Sequence, residues 1–101
     1  MAMMEISIVP IGTGTPSVSK YIARAVRLLQ GESDIKYQLN AMGTIIEGEL
    51  EQLLSLAAKM HQSVFAEGIK RAVTTIRIDE RCDKPSTIKS KVASVTRKLG
   101  R

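Results

Sequence analysis

Tryptophan is absent from the 101 residues, and Tyr21, Tyr37 and Phe65 are the only aromatic side chains. Sheets that read RNA stack bases on aromatics of their central strands. Tyr21 and Phe65 fall in helical patterns, so specific nucleic-acid recognition is not expected. Cysteine and histidine are each present once, as Cys82 and His61. An internal disulfide is excluded, and so is a zinc site built from the usual Cys and His sets. No apolar run approaches the ~20 residues that span a bilayer. The first residues, MAMMEISIVPIG, lack the basic start and small-residue cleavage site of a secretory signal. A reducing, cytosolic setting is therefore expected. His61 has no Ser, Cys or carboxylate visibly paired to it, and no two carboxylates are spaced for acid–base work. Catalysis, a metal and a cofactor are not expected.

What is present begins with charge. The chain carries a formal net charge of +5. From Lys84 onward come Lys84, Lys89, Lys91, Arg97, Lys98 and Arg101 without one acidic residue. Such an end attracts polyanions nonspecifically, or is simply a solvated helix face.

The length suits a single domain spanning residues 1–101. Residues 5–11 are rich in Ile and Val and read as a strand. A helix is predicted over 16–30, with Pro16 at its start, Gly31 at its end, and Val18, Ile22, Ala25 and Leu29 on one face. Two short β-like pieces follow, 36–42 and 44–47, forming either a tight hairpin about Gly43 or a bulged pair. A second helix over 49–66 bears the stripe Leu50, Leu53, Ala57, Met60 and Val64, and Gly68 stops it. Residues 72–79 read as a strand, with Thr74, Ile76 and Ile78 on one face and Val73, Thr75 and Arg77 on the other. A last helix starts near 83–86 and presents Ile88, Val92, Val95 and Leu99. The order βαββαβ plus a helix predicts an α+β, ferredoxin-like sandwich with a four-stranded antiparallel sheet. Two helices cover one face of that sheet. The other face is left for a second copy, unless the last helix folds back over it.

Three segments bear chemistry. The turn PIGTGTPSVS lacks the Lys of a phosphate loop and the third Gly of a dinucleotide fingerprint. Thr13, Thr15, Ser17 and Ser19 nevertheless surround a helix start, where free N–H groups favour an anion or a hydrogen-bonding ligand. Equally, one hydroxyl there can merely cap the helix. In AMGTIIEG, Glu47 either lines the uncovered face or is half-buried near the second helix. An enclosed carboxylate needs a partner, whether an Arg, hydroxyls or a ligand's amino group; a surface Glu is the plainer alternative. In RIDERCDK, Arg77 and Arg81 are candidates for binding an anion bidentately, although solvated ion pairs are the default.

Together, PIGTGTPSVSKYIARA, YQLNAMGTIIEG and RAVTTIRIDERCDK resemble the small YkoF-like thiamine-binding proteins. The resemblance spans nearly the whole chain, and Met42-Gly43-Thr44 with Glu47-Gly48 is its most distinctive part. It implies a ferredoxin-like fold, assembly through the sheets into dimers and dimers of dimers, and binding of thiamine or its aminopyrimidine moiety without catalysis. The implied ligand site comprises Thr13, Ser17, Ser19, Met42, Gly43, Thr44 and Glu47, with the carboxylate offsetting a thiazolium charge. Two departures stand out. Better-known binders of the family carry two such domains in tandem. A basic chain is also poorly suited to steering a cation, and an anionic metabolite at the Gly12–Ser19 turn is the alternative ligand. An acylphosphatase-like activity would need an Arg in the loop after the first strand, and residues 13–19 contain none.

Overall fold

The computed structural model describes residues 1–100. Its elements are β1 (Ala2–Ile11), α1 (Ser19–Arg27), β2 (Lys36–Asn40), β3 (Gly43–Gly48), α2 (Leu50–Ser63), β4 (Arg71–Glu80) and α3 (Ile88–Lys98). α1 and α2 each tighten into a 3₁₀ turn, at Leu28–Gly31 and Val64–Glu67. The strands pair antiparallel in the order β2-β3-β1-β4. This is the expected ferredoxin-like α+β sandwich.

Alternation along β1 decides the layers. Ala2, Met4, Ile6 and Ile8 point inward and are buried, together with Tyr21, Ala25 and Leu29 of the first helical segment and Leu53, Leu56, Ala57, Met60 and Val64 of the second. Each large aliphatic side chain among them contributes roughly 1.5–3 kcal/mol. Ile46 joins them from β3 at 0% exposure, leaving Ile45 and Glu47 on the opposite face. Of the two helical stripes read from the sequence, Ala25, Leu29, Leu53, Ala57, Met60 and Val64 are in the core, Val18, Ile22 and Leu50 are partly buried against it, and Tyr21 and Leu56 are added.

Boundaries differ from the expectation where local hydrogen bonds or ladders intervene. β1 begins at Ala2 because it is paired there on both sides, with Gly48 and with Glu80. α1 begins at Ser19 rather than Pro16. Gly12 and Gly14 sit at φ 81° and 76°, the Thr13 hydroxyl donates to the Thr15 carbonyl, and the Thr15 hydroxyl accepts from the Ser17 N–H. The preceding turn therefore runs past Pro16, and no side chain caps the helix at Val18. β2 and β3 form the tight hairpin, closed by the Asn40–Gly43 pair around Ala41 and Met42. α3 starts at Ile88, because Thr87 and Ser90 form a reciprocal capping box (Ser90 N–H to Thr87 Oγ1, 3.0 Å; Thr87 N–H to Ser90 Oγ, 2.9 Å).

α3 does not close over the open sheet face. It buries no residue, and Val92, Val95 and Leu99 remain 60%, 60% and 70% exposed. The radius of gyration is 15.1 Å, above the ~13 Å of a compact domain this size.

Candidate functional site

The register of the central strands distributes the candidate residues. Thr44 lies beside Ile6 on β1 and Leu39 on β2, on the helix-covered face. Glu47 lies beside Met3 and Lys36, on the open face. They are three positions apart, an odd offset, so a regular strand sends them to opposite sides.

On the helix-covered side, α1 stops short of β2 and leaves a cavity of about 310 Å³ between them. Its walls include Ile6, Ile8, Ala25 and Met60 from the core, Val18, Ile22 and Val26 from α1, and Leu39, Met42, Gly43 and Thr44 from the hairpin. Glycine is favoured at position 43 on the rim, because a Cβ there would press on the Ile6 carbonyl oxygen at 3.2 Å. Thr44 is 3% exposed. Its hydroxyl enters no hydrogen bond among the described residues, yet it is not sealed from the cavity. Met42, 89% exposed, stands over the mouth.

A second groove continues from this cavity along α1, sharing Val18, Ile22, Val26, Leu39 and Ala41 and adding Ser17, Ser19, Arg27 and Gln30. The structure thus brings Met42, Gly43 and Thr44 together and sets Ser17 and Ser19 in the adjoining groove. Thr13 stays in the turn, where its hydroxyl is already bonded to the Thr15 carbonyl. The lining positions missed in the sequence include Val18, Ile22, Val26, Leu39 and Ala41. The signal for the first three was the half-buried flank at α1, which reads as core.

Glu47 is 7% exposed, and its carboxylate accepts from the backbone N–H of Ile88. No acidic residue occupies the first turn of α3. Glu47 therefore supplies, from a different element, the negative charge that a helix N-terminus favours. Lys91 of α3 pairs with Asp79 of β4. These two contacts dock the helix at one end of the open face.

Both candidate arginines have partners. Arg77 holds one Glu5 oxygen through Nε at 2.9 Å and Nη2 at 2.5 Å. Arg81 grips Asp83 with two hydrogen bonds, 2.9 and 2.6 Å. Arg81 and the backbone N–H groups of Asp83 and Lys84 hold the Asp83 carboxyl below its ordinary pKa, against slight desolvation. His61 contacts the Thr74 hydroxyl at 2.6 Å and packs edge-on against Phe65, so it ties α2 to β4. Among the described residues no three His, Cys, Asp or Glu side chains converge, and no helix is long and apolar enough to cross a membrane.

The family model described as thiamine-binding protein matches residues 4–96. The UPF0045 protein YqgV of Bacillus subtilis is 47% identical over 102 residues, covering 98% of both chains. The UPF0045 protein MJ1052 of Methanocaldococcus jannaschii is 40% identical over 91 residues, covering 90% of this chain and 88% of that one. The solved structure of MJ1052 superposes with a TM-score of 0.86, at 37% identity, over 94% and 95% of the two chains. A Thermotoga maritima structure, described as that of a candidate thiamine biosynthesis or salvage protein, shares the fold at a TM-score of 0.75 and 24% identity, over 93% and 97%.

Proposed function

The chain belongs to the thiamine-binding protein family, and from that premise we propose that it is a non-catalytic cytosolic protein that binds thiamine or its aminopyrimidine moiety. One observation carries the reading: the cavity beside α1 holds a buried hydroxyl, Thr44, in a mostly apolar wall whose other polar lining residues are Ser7 and Asn40. Its volume, about 310 Å³, falls at the low end of the ~300–1,000 Å³ of small-molecule sites. The mostly apolar walls suit an aromatic ring, and Thr44 supplies both a donor and an acceptor for a pyrimidine edge. Ser17 and Ser19 serve the part of the ligand that extends into the groove.

Isothermal titration calorimetry with thiamine and with the free aminopyrimidine alcohol tests this. Saturable binding should weaken about tenfold in Thr44→Val, as for one lost hydrogen bond, and vanish in Val26→Phe, which fills the cavity. Heat with neither compound at millimolar concentration would end the reading. The anion-binding alternative at the Gly12–Ser19 turn has less support, because the hydroxyls of Thr13 and Thr15 are spent inside the turn.

Self-association belongs to the same proposal. β4 is an edge strand whose inward-facing Ile76 and Ile78 remain 40% and 43% exposed. Lys70 and Arg71 stand at its start, Asp79 and Glu80 at its end. A two-fold pairing about Thr75 therefore sets Arg71 opposite Asp79 of a second copy and Ile76 beside Thr74, with both faces of the sheet continuous. The open face remains for pairing such dimers into a tetramer. By native mass spectrometry, Arg71→Asp should yield monomers. Monomeric wild-type protein at tens of micromolar would refute it.

A further inference from the structure

We propose that the outer edge of β2 is a docking site for an extended acidic peptide, which adds to the sheet as a further strand beside α3. The order β2-β3-β1-β4 leaves β2 without a strand on one side among the described residues, and every residue of β2 is exposed. Asn40 and Gly43 close a two-residue turn, which makes them a hydrogen-bonded pair. Alternation then turns the backbone N–H and C=O groups of Lys36, Gln38 and Asn40 toward β3, and those of Tyr37 and Leu39 outward. A free edge that presents donors and acceptors in this way is a template for an added strand.

The two faces of the edge specify what that strand carries. On the open side, Lys36 stands across from Lys89 and Arg97 of α3 over a groove of about 710 Å³, whose lining includes Ile88 and Val92. None of these cations enters an ion pair or a side-chain hydrogen bond among the described residues. Glu47, the one acidic residue lining the groove, is committed to the N–H of Ile88. Glu32 and Asp34 precede β2 but do not line it. On the helix-covered side, the register sets Tyr37 beside Ile46 and Leu39 beside Thr44, yet Tyr37 and Leu39 stay 38% and 58% exposed. A strand that alternates acidic and apolar residues matches both sides. Its acidic side chains face Lys36, Lys89 and Arg97, and its apolar ones cover Tyr37 and Leu39.

A lone edge lysine commonly serves only to keep strands apart. Here cations line the edge from two elements, so they refuse a basic strand or a second copy of β2, which has no acidic residue of its own. β4 differs, with Arg71 at its start and Asp79 and Glu80 at its end. The two edges of the sheet thus take different partners.

Fluorescence anisotropy on the intact chain tests this with fluorescein-labelled, amidated peptides of sequence EVEVE, EEEVV and KVKVK. EVEVE is expected to bind saturably, with an affinity that falls as salt rises, and KVKVK is expected not to bind. EEEVV has the same charge and composition but cannot sort its side chains to opposite faces, and should bind about fivefold more weakly. On addition of EVEVE the amides of Tyr37 and Leu39 should gain protection from hydrogen exchange, which adhesion by charge alone does not give. The double variant Lys89→Gln/Arg97→Gln should weaken EVEVE about fivefold. Both side chains are exposed, so its circular dichroism spectrum should match that of the wild type. No saturable binding of EVEVE at about 1 mM, equal affinity for EEEVV, or unprotected Tyr37 and Leu39 amides overturns the proposal. So does displacement by a thymidine pentanucleotide as potent as unlabelled EVEVE, because the groove would then read charge alone.

Discussion

Replacing Glu47 separates its two candidate roles. In the structure its carboxylate accepts from the first helical N–H of α3, that of Ile88. A hydrogen bond to a charged acceptor contributes about 1.5–3 kcal/mol and a neutral one about 0.5–1.5 kcal/mol. The helix dipole adds about 0.3–1 kcal/mol for an anion at this end. Against these stands the cost of keeping a carboxylate 7% exposed, which a neutral side chain relieves. Glu47→Gln keeps an acceptor and sheds both charge and penalty, so a net loss of about 1 kcal/mol is expected. Glu47→Ala leaves the Ile88 N–H unpaired and should cost about 2–3 kcal/mol.

Urea unfolding followed by circular dichroism gives the stability change, and amide exchange at Ile88 gives the contact itself. In Glu47→Ala the Ile88 amide should exchange almost as fast as an unprotected one, since it has no i−4 carbonyl within α3. Ligand affinity should stay within twofold of wild type in Glu47→Gln, because Thr44 and the cavity are on the other face. An unchanged urea midpoint together with a still-protected Ile88 would refute the docking role. A tenfold loss of affinity with α3 still docked would return Glu47 to the ligand, as the family resemblance implies.

Other perturbations have equally definite outcomes. Gly48→Ala places a Cβ 3.1 Å from Ile35 Cγ2 and 3.3 Å from Leu53 Cδ2; overpacking of this kind should cost about 1–3 kcal/mol in urea unfolding. Thr74→Val removes the His61 partner and should cost about 1 kcal/mol, measured the same way. The Asp83 carboxyl is held below its ordinary pKa chiefly by Arg81, so Arg81→Gln should move its titration upward, read by carboxyl NMR. Because the folded-state pKa is the lowered one, the interaction is present above the ordinary carboxylate pKa and is lost as pH falls through the lowered value. An Asp83 titration indifferent to Arg81 would contradict the bidentate contact.

Most of the fold was legible in the sequence, because two periods decide it. The stripe Leu53, Ala57, Met60 and Val64 has one helical phase, and each of these residues is buried. The alternation of Thr74, Ile76 and Ile78 against Val73, Thr75 and Arg77 placed the faces of β4 correctly, as its register with β1 confirms. Errors fell at ends, where a remote partner overrides local preference. Residues 2–4 lack the β-branched and aromatic side chains that mark a strand, yet Ala2 is paired on both sides. Pro16 is a good helix starter, yet two local side-chain hydrogen bonds prolong the turn before it.

The candidate site was legible only in part, and the reason is geometric. Proximity in sequence made Thr44 and Glu47 look like one constellation, although their odd separation already divides them between faces. The partner of Glu47 is 41 residues away, in a segment whose own capping box reads as self-sufficient. The cavity was hidden for a different reason: Val18, Ile22, Val26 and Leu39 are the residue types a core would use, and nothing in the sequence shows that α1 stops short of β2. A carboxylate that a cationic ligand would want is therefore spent on holding α3, and the cavity is left uncharged. The sheet thus separates the polar contact that docks α3 from the cavity beside α1.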